Sequence, residues 1–492
     1  MAGSLTRTKS IDRLLVEGAA TGEGALKRTL GAWSLVALGI GAIIGAGLFV
    51  RTAAAIADRA GPSVTLAFLV AGLGCALAGL CYAEFASMIP IAGSAYTYSY
   101  ATMGEFVAWI IGWDLVLEYA VGAATVAIAW SEYANKVLEW FGMAVPYQWV
   151  HSPWDRVSPD GVTGIMNIPA VFILALLSAL LIRGTQQSAF VNSLIVVLKV
   201  TIVLLVIGIG WSFINPANHT PLIPDPTTYT TPQGVVHNYG GIMGILGAAG
   251  VVFFAYIGFD AVSTAAQEAK NPKRDMPIGI LGSLVICTVL YILFAYVLSG
   301  VATVEDFRTQ GREASVAYAI QTYMTGYGWL ANSVTVAILA GFSSVILVML
   351  LGQSRVFYSM SHDGLVPKVF SEVHPKFRTP YKSNMLFFVF TAAFAAFVPG
   401  DVVGEMTSIG TLFAFMLVCA GVWIMRVRRP DIPRGFTVPV LPAVAILGIV
   451  VCGAMIYGLG WTNWLRLAGW LAVGLVLYFG YGRSHSILND SK

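Results

Sequence analysis

The sequence predicts an all-α membrane protein with twelve transmembrane helices, arranged as a 5+5 inverted repeat followed by two further helices. Of the 492 residues, 57% are hydrophobic and only 11% are charged, whereas soluble domains carry about 25% charged residues. Apolar runs of about 20 residues, the length that crosses a bilayer, recur along the whole chain. The first and sixth of these runs are interrupted by closely spaced glycines.

The predicted spans are joined mostly by short connections. They lie at 32–55, 64–88, 105–135, 166–182, 190–213, 241–266, 277–300, 330–358, 384–398, 402–425, 437–458 and 463–481. Residues 29–215 form the first predicted repeat, 216–426 the second, and 427–482 helices 11 and 12. Residues 1–28 are polar and basic without an apolar stretch before a cleavage site, which predicts a tail rather than a signal peptide. Residues 483–492 form a second tail.

Lysine and arginine predict the orientation. If the N-terminus is inside, clusters of cations such as those at 270–274 and 426–434 fall on the cytoplasmic side. The predicted outer segments hold few cations, namely Arg51, Arg59, Lys136, Arg156, Arg308, Arg312 and Arg466. This distribution follows the positive-inside rule. We therefore expect a cell-membrane protein with both termini in the cytoplasm.

The first apolar run contains the segment GAIIGAG at 41–47. Each glycine costs a helix about 1 kcal/mol relative to alanine, so three of them predict a local break. A break at membrane depth is tolerated only where it is buried in protein or lines a cavity, and transporters bind substrate there. Close helix packing at Gly41 and Gly45 is the structural alternative.

The sixth run, at 240–272, has glycines at 244, 247, 250 and 258, and Asp260 follows directly. The two interrupted runs hold corresponding places in two halves of five spans. Because five is odd, the second half starts from the opposite side of the membrane, which makes the repeat inverted. Paired breaks of this kind indicate a transporter binding site.

Five segments resemble a known family. They are GAIIGAGLFV at 41–50, YAEFASMIPIAGSAYTY at 82–98, GWDLVLEYAVGAATVAIAW at 112–130, FFAYIGFD at 253–260 and QSRVFYSMSHDGLVP at 353–367. Together they resemble the amino acid–polyamine–organocation (APC) superfamily, and the segment at 112–130 is most similar to its cationic amino acid transporter branch. The resemblance implies a LeuT-like fold in which helices 1 and 6 are broken and part of 82–98 folds back as a cytoplasmic gate. The loop at 353–367 is expected to be architectural, with a turn at Asp363–Gly364.

An α-amino acid presents a carboxylate and an ammonium group. Free N–H groups at the positive end of a half-helix suit the carboxylate, and free carbonyls suit the ammonium. The resemblance implies that the carboxylate is bound by the N–H groups of Gly45, Ala46 and Gly47, and the ammonium by the carbonyls of Ile43, Phe254 and Ile257. The resemblance implies that Phe254 occupies the position of an aromatic side chain that closes over the substrate. Packing of Phe254 in the protein interior is an equal alternative.

The substrate side chain is expected to meet Met349 in the eighth span. In cationic members of the family a small polar residue stands there, as the resemblance implies. Because methionine is flexible and apolar, Met349 favours a small neutral L-amino acid such as alanine over arginine or lysine. A cationic amino acid transporter or exchanger is the runner-up, and Met349 facing lipid or core is the structural alternative.

Coupling is expected to involve Lys199, which lies about ten residues from either end of its span. A cation at that depth faces a partner or an aqueous cavity. The resemblance implies that such a lysine replaces a sodium ion beside the first break in proton-coupled relatives. Glu118 and Asp260 are the candidate proton carriers. Asp114 shares a helical face with Glu118 but is predicted near the cytoplasmic end, in contact with solvent.

No enzyme motif is present, since the sequence has no nucleophile elbow, Walker loop or Rossmann fingerprint. No cofactor, metal or nucleic acid is expected; the predicted partners are an amino acid, protons and the lipid bilayer, with a membrane subunit left open. An amino-acid-sensing receptor without transport and a sodium symporter are the remaining alternatives.

Overall fold

The computed structural model describes residues 7–10, 30–89, 94–155, 157–158, 160–184, 189–231, 234–264, 266, 269–309 and 315–489. Within these residues, eight helical stretches are long and apolar enough to cross a membrane, and four apolar helices are shorter. They coincide with the predicted apolar runs and confirm an all-helical, multi-pass protein. The count of twelve spans, the inverted repeat and the domain limits stay predictions.

The helices are numbered in chain order. They are α1 (Ala32–Ile43), α2 (Gly47–Arg51, Thr52–Ala55 and Ile56–Ala60 in one run), α3 (Val64–Met88), α4 (Ser94–Thr102), α5 (Glu105–Glu139), α6 (Ile168–Ile182), α7 (Ala189–Gly210), α8 (Gly241–Val252), α9 (Ala261–Thr264), α10 (Pro272–Val301), α11 (Val304–Thr309), α12 (Ser315–Tyr323), α13 (Gly328–His362), α14 (Tyr381–Phe397), α15 (Gly400–Arg428), α16 (Leu441–Leu459) and α17 (Trp461–Leu477). Between α7 and α8, strands β1 (Thr227–Thr230) and β2 (Val236–Tyr239) pair antiparallel, with Thr227 opposite Tyr239. This hairpin is not among the elements predicted from the sequence.

Small residues set how closely the helices approach one another. A side chain added at Gly39 of α1 would lie 2.4 Å from the hydroxyl of Ser283 in α10, and one added at Gly79 of α3 would lie 2.6 Å from Leu284. Such small residues at helix crossings are typical of membrane bundles. They bring α1 and α3 against the same helix, α10.

Several helix ends differ from the predicted ones, and two of these differences concern residues discussed below. The first run does not end near residue 55, because α2 continues to Ala60, and Arg59 is buried on it rather than lying in a connecting segment. Helix α13 likewise extends beyond 358 to His362. The predicted turn follows at once, with Gly364 at a φ of +78°.

Parts of several predicted segments lie outside the described residues, among them 490–492 of the second tail and the predicted outer cations Arg156 and Arg312. Of the tail 1–28, residues 7–10 are described, and residues 90–93 of the gate segment 82–98 are not. The remainder of that segment forms the end of α3 and the start of α4.

Candidate functional site

Both glycine-rich runs are interrupted where the sequence predicts. Helix α1 ends at Ile43, Ile44 is extended with a ψ of 102°, and helix resumes at Gly47. Helix α8 ends at Val252, a tight turn follows through Phe253–Tyr256, and Ile257 is extended with a ψ of 134°.

The two breaks pack directly against each other, and glycine makes this contact possible. A Cβ atom at Gly47 would lie 2.1 Å from the Cα atom of Ala255, and one at Gly258 would lie 2.8 Å from the carbonyl oxygen of Ala42. Gly258 also has a φ of +114°, which other residues rarely adopt. The glycines therefore serve both to interrupt the helices and to bring the interruptions together.

Lys199 of α7 contacts the first break. In an unbroken helix the carbonyl of Gly41 would accept the N–H of Gly45 four residues later, but that bond is absent from the described part of the chain. The ammonium of Lys199 donates to this oxygen instead, at 2.8 Å. Lys199 is only 3% exposed, and its alkyl chain packs on Gly341 of α13. The side-chain nitrogen of Lys199 thus replaces a backbone donor at the break.

Tyr291 of α10 contacts both breaks at once. Its hydroxyl lies 2.9 Å from the carbonyl oxygen of Ile43 and 2.9 Å from that of Ala255. One hydroxyl has a single proton, so it donates to one oxygen at a time. Tyr291 is not among the predicted site residues, and its only sequence signal is a polar group within an apolar run.

The predicted cradle residues all lie at these breaks and are buried; they are Ile43, Gly45, Ala46, Gly47, Phe254 and Ile257. The first N–H groups of a helix have no acceptor within that helix, so the start of α2 directs donors into the break. The carbonyl of Phe254 already accepts the N–H of Ile257, at 3.3 Å. Since a carbonyl oxygen has two lone pairs, it retains capacity for a second donor.

A small cavity adjoins the first break beside Lys199. Its volume is ≈ 10 Å³, and its walls include Gly45, Phe49, Gly341 and Phe342. A cavity of this volume is about the size that one water molecule needs. An amino acid therefore requires the surrounding side chains to move before it can enter here.

Met349 faces the protein interior rather than lipid. It is 5% exposed, and a Cβ atom at Gly122 of α5 would lie 3.4 Å from its sulfur. The same position at Gly122 lies 3.3 Å from the methyl group of Thr407 in α15. Met349, Gly122 and Thr407 thus meet between three helices, and the sequence analysis identified only the first of them.

The predicted proton carriers come together across α5 and the second break. The carboxyl group of Glu118 lies close to that of Asp260, and Asp260 also accepts the hydroxyl of Tyr119 at 2.7 Å. Two carboxyl groups can hydrogen-bond to each other only when one of them carries a proton. The arrangement is therefore suited to holding a single shared proton.

The prediction that Asp114 contacts solvent is wrong. Asp114 is 1% exposed, and a Cβ atom at Gly410 of α15 would lie 3.1 Å from one of its oxygens. Within the described residues neither carboxyl oxygen has a hydrogen-bond partner. Helix α15 covers this position, and the sequence of α5 alone does not reveal that contact.

Two ion pairs join α2 to α15 on the predicted outer side of the breaks, of which the pair of Arg59 is buried and that of Arg51 is partly exposed. Arg59 donates to Glu405 at 2.9 Å and Arg51 to Asp401 at 3.0 Å. Glu405 also accepts from Asn463 at 2.9 Å and from Arg466 at 3.2 Å. These contacts hold the second half of the broken helix against α15.

Contacts on the predicted cytoplasmic side involve the segment at 7–10. Lys9 donates to Asp363 at 3.1 Å, and Tyr96 of α4 donates to the other oxygen of Asp363 at 2.8 Å. The N–H of Glu105 donates to the carbonyl of Arg7 at 2.9 Å. The end of α13, the segment at 7–10 and the start of α5 are thereby joined on this side.

The fold and the paired breaks are those of a membrane transporter for small solutes, and comparison with known families identifies which one. The amino acid permease family matches residues 30–475, and this chain belongs to that family. Its members are permeases, which are transporters and not enzymes.

Curated relatives agree with this assignment. The chain is 42% identical over 490 residues to the branched-chain amino acid permease BcaP of Bacillus subtilis (strain 168), covering 100% of both chains. It is 38% identical to the methylthioribose transporter of the same organism, covering 99% of each chain. It is 33% identical to the vacuolar cationic amino acid transporter 4 of Arabidopsis thaliana, covering 87% of this chain and 68% of the relative.

Proposed function

We propose that this permease imports a small neutral L-amino acid such as alanine, coupled to protons and independent of sodium, by alternating access. In this proposal it acts in the cell membrane with both termini in the cytoplasm. The single observation that carries the proposal is the ammonium of Lys199 bonded to the carbonyl of Gly41 at the first break. A fixed cation there supplies the positive charge that a sodium symporter takes from its ion.

The proposed substrate lies with its carboxylate on the N–H groups of Gly45, Ala46 and Gly47, since these groups begin α2 and a helix N-terminus favours an anion. Its ammonium is received by the carbonyls of Ile43, Phe254 and Ile257. Both charges belong to every amino acid, so this cradle recognises the class of substrate.

The substrate side chain points towards Met349, Gly122 and Thr407 in this proposal. None of these three side chains carries a charge, so they offer no partner to a guanidinium or a second ammonium. A small apolar side chain satisfies them without an unpaired charge.

A branched-chain amino acid is the second candidate substrate, favoured by the name of the relative that is 42% identical over the full chain. It requires more space next to Met349 than alanine does. Methionine has three rotatable bonds and adapts to its neighbours, so a larger apolar side chain is compatible with this position. A cationic substrate has support from the more distant plant relatives.

The proton is proposed to bind between Glu118 and Asp260. Asp260 directly follows the second break, so a change in the charge of this pair acts on the backbone that contacts the substrate. The bond between Lys199 and the carbonyl of Gly41 at the first break is proposed to change together with the charge of this pair. Together these groups bias the protein between its two access states, as a ligand with different affinities for two conformations does.

The test is uptake of labelled alanine into sealed proteoliposomes under an imposed pH gradient. We expect time-dependent accumulation that survives replacement of sodium by choline and collapses with a protonophore. Binding without accumulation would instead identify an amino-acid-sensing receptor, and loss of uptake in choline would identify a sodium symporter. Competition by each of the twenty amino acids then ranks alanine, branched-chain and cationic substrates.

A further inference from the structure

A groove with a cavity volume of ≈ 730 Å³ lies between the start of α10 and the segment at 430–438 that follows α15. Lys273 and Arg274 line it in the first turn of α10, and Ile278 and Leu281 line it one to two turns further along the same helix. A helix rises about 1.5 Å per residue, so charged and apolar walls follow each other over roughly 10 Å. Phe436 forms part of the opposite wall.

The side chains of Lys273 and Arg274 are exposed. Among the described residues, the charged group of neither side chain makes a hydrogen bond or an ion pair. The neighbouring acid does not neutralise them, because Asp275 is buried and accepts the N–H of Asn271 at 3.1 Å. Arg434 on the opposite segment is already paired with Glu84, at 3.2 Å. The mouth of the groove therefore carries positive charge that lacks a counter-ion within the described chain.

The groove is built on close backbone contacts. A Cβ atom at Gly435 would lie 2.5 Å from the Cβ atom of Lys273, and one at Gly282 would lie 3.1 Å from Val36 of α1. The segment at 430–438 is thus held directly on α10. Gly282, which lines the groove, packs on α1, the half-helix that ends at the first break.

We propose that this groove binds an anionic glycerophospholipid, with its phosphate on Lys273 and Arg274 and an acyl chain along Ile278, Leu281 and Phe436. Basic pockets between helices at the cytoplasmic surface bind such headgroups, and the N-terminus of α10 adds its own positive end. A soluble phosphate would explain the cations but leaves the apolar wall uncovered. The lipid site is independent of which substrate the permease carries.

The experiment places the full-length protein in nanodiscs of phosphatidylcholine, with or without phosphatidylglycerol, and measures its thermal unfolding midpoint. A ligand that binds the folded state raises this midpoint, and we expect phosphatidylglycerol to raise it by several degrees. The double variant Lys273→Gln/Arg274→Gln is expected to lose more than half of this shift. The matched control Lys368→Gln/Arg428→Gln removes two other exposed cations on the predicted cytoplasmic side and is expected to keep the shift.

A second variant tests the same groove independently, in case the double variant fails to fold. Ile278→Glu places a carboxylate beneath the cations at an exposed position of α10 and is expected to abolish the lipid shift while leaving the midpoint in phosphatidylcholine unchanged. Equal shifts in the groove variants and the control would overturn the proposal, because they would show general surface electrostatics. Inorganic phosphate that reproduced the shift in phosphatidylcholine discs would also overturn it, since the ligand would then be a free anion.

Discussion

The ammonium nitrogen of Lys199 lies 2.8 Å from the carbonyl oxygen of Gly41, the oxygen that would accept the N–H of Gly45 if the helix continued. A side chain from another helix has thereby taken over one hydrogen bond of the broken backbone. Any change in the charge or position of Lys199 acts on α1 through this bond. The relationship links a titratable group to the end of a half-helix.

Replacing Lys199 by alanine is expected to reduce pH-gradient-driven uptake at least tenfold, because the carbonyl of Gly41 loses its donor and the break loses its cation. Exchange of labelled for unlabelled substrate, which needs no net proton movement, is expected to fall much less. Both rates are measured in the same proteoliposomes. Lys382→Ala, an exposed lysine paired with Glu372, is the control, and gradient-driven uptake equal to wild type in Lys199→Ala would contradict the coupling role.

Tyr291→Phe removes the hydroxyl that contacts both breaks but keeps the ring, which packs against Phe68 and Tyr256. A hydrogen bond contributes about 1 kcal/mol net, so we expect a fivefold to tenfold loss of uptake with little change in thermal stability. Uptake rates and unfolding midpoints are measured together.

Tyr478→Phe is the matched control for Tyr291→Phe, since it loses one buried hydroxyl bond, to the carboxylate of Glu105 at 3.0 Å. This bond contacts neither break. Equal effects of the two substitutions on uptake would show that the bridge between the breaks has no special role.

Glu118→Gln is expected to abolish stimulation of uptake by an inward proton gradient while leaving exchange measurable. The amide preserves the shape of the side chain but cannot gain or lose a proton. The pair with Asp260 can therefore no longer bind and release the transported proton. Uptake is measured at several external pH values. Asp114→Asn, one helical turn away on α5, is the matched control, and a Glu118→Gln transporter that still followed the pH gradient would exclude Glu118 as the carrier.

Met349→Ser is expected to broaden substrate selection. Serine is smaller than methionine and polar, so it leaves space between Gly122 and Thr407 and provides a hydrogen-bonding group. We expect arginine and lysine to become competitors of alanine uptake, with at least a tenfold lower half-inhibiting concentration. Met385→Ser, at an exposed position of α14, should leave selection unchanged. An identical competition profile in Met349→Ser would place Met349 outside the substrate pocket.

Glu405→Gln is expected to lower stability because it leaves the buried guanidinium of Arg59 without its charge partner. Breaking one side of a buried ion pair costs about 3–5 kcal/mol. Asp401→Asn is expected to cost less, since Asp401 is 37% exposed and exposed pairs contribute about 1 kcal/mol or less. The measurement is the unfolding midpoint of each variant. A smaller drop for Glu405→Gln than for Asp401→Asn would contradict the prediction.

The two breaks were predictable because their signal is local. Glycines at 41–47 and at 244–258 weaken a helix wherever it lies, and both interruptions occur within those runs. The end of α2 was not predictable in the same way. Arg59 lies beyond the predicted span 32–55, yet Glu405 from a distant helix pairs with it and allows the helix to continue.

The acidic residues of α5 show the same contrast between a local sequence signal and a contact from a distant helix. Their spacing on α5 places Asp114 and Glu118 on one face, but burial of Asp114 depends on α15, some 300 residues later. Tyr291 is the clearest omission, because a tyrosine in an apolar run has no sequence feature that says which carbonyls it contacts.

By itself the sequence determined that this is a multi-pass membrane protein, where its helices break, and that a lysine lies at membrane depth. Composition and glycine spacing act within one segment, so they can be read without the fold. Only the tertiary structure decided that Lys199 bonds Gly41, that Tyr291 joins the two breaks and that Glu118 faces Asp260. These contacts join residues far apart in the chain, and packing of the helices alone brings them together.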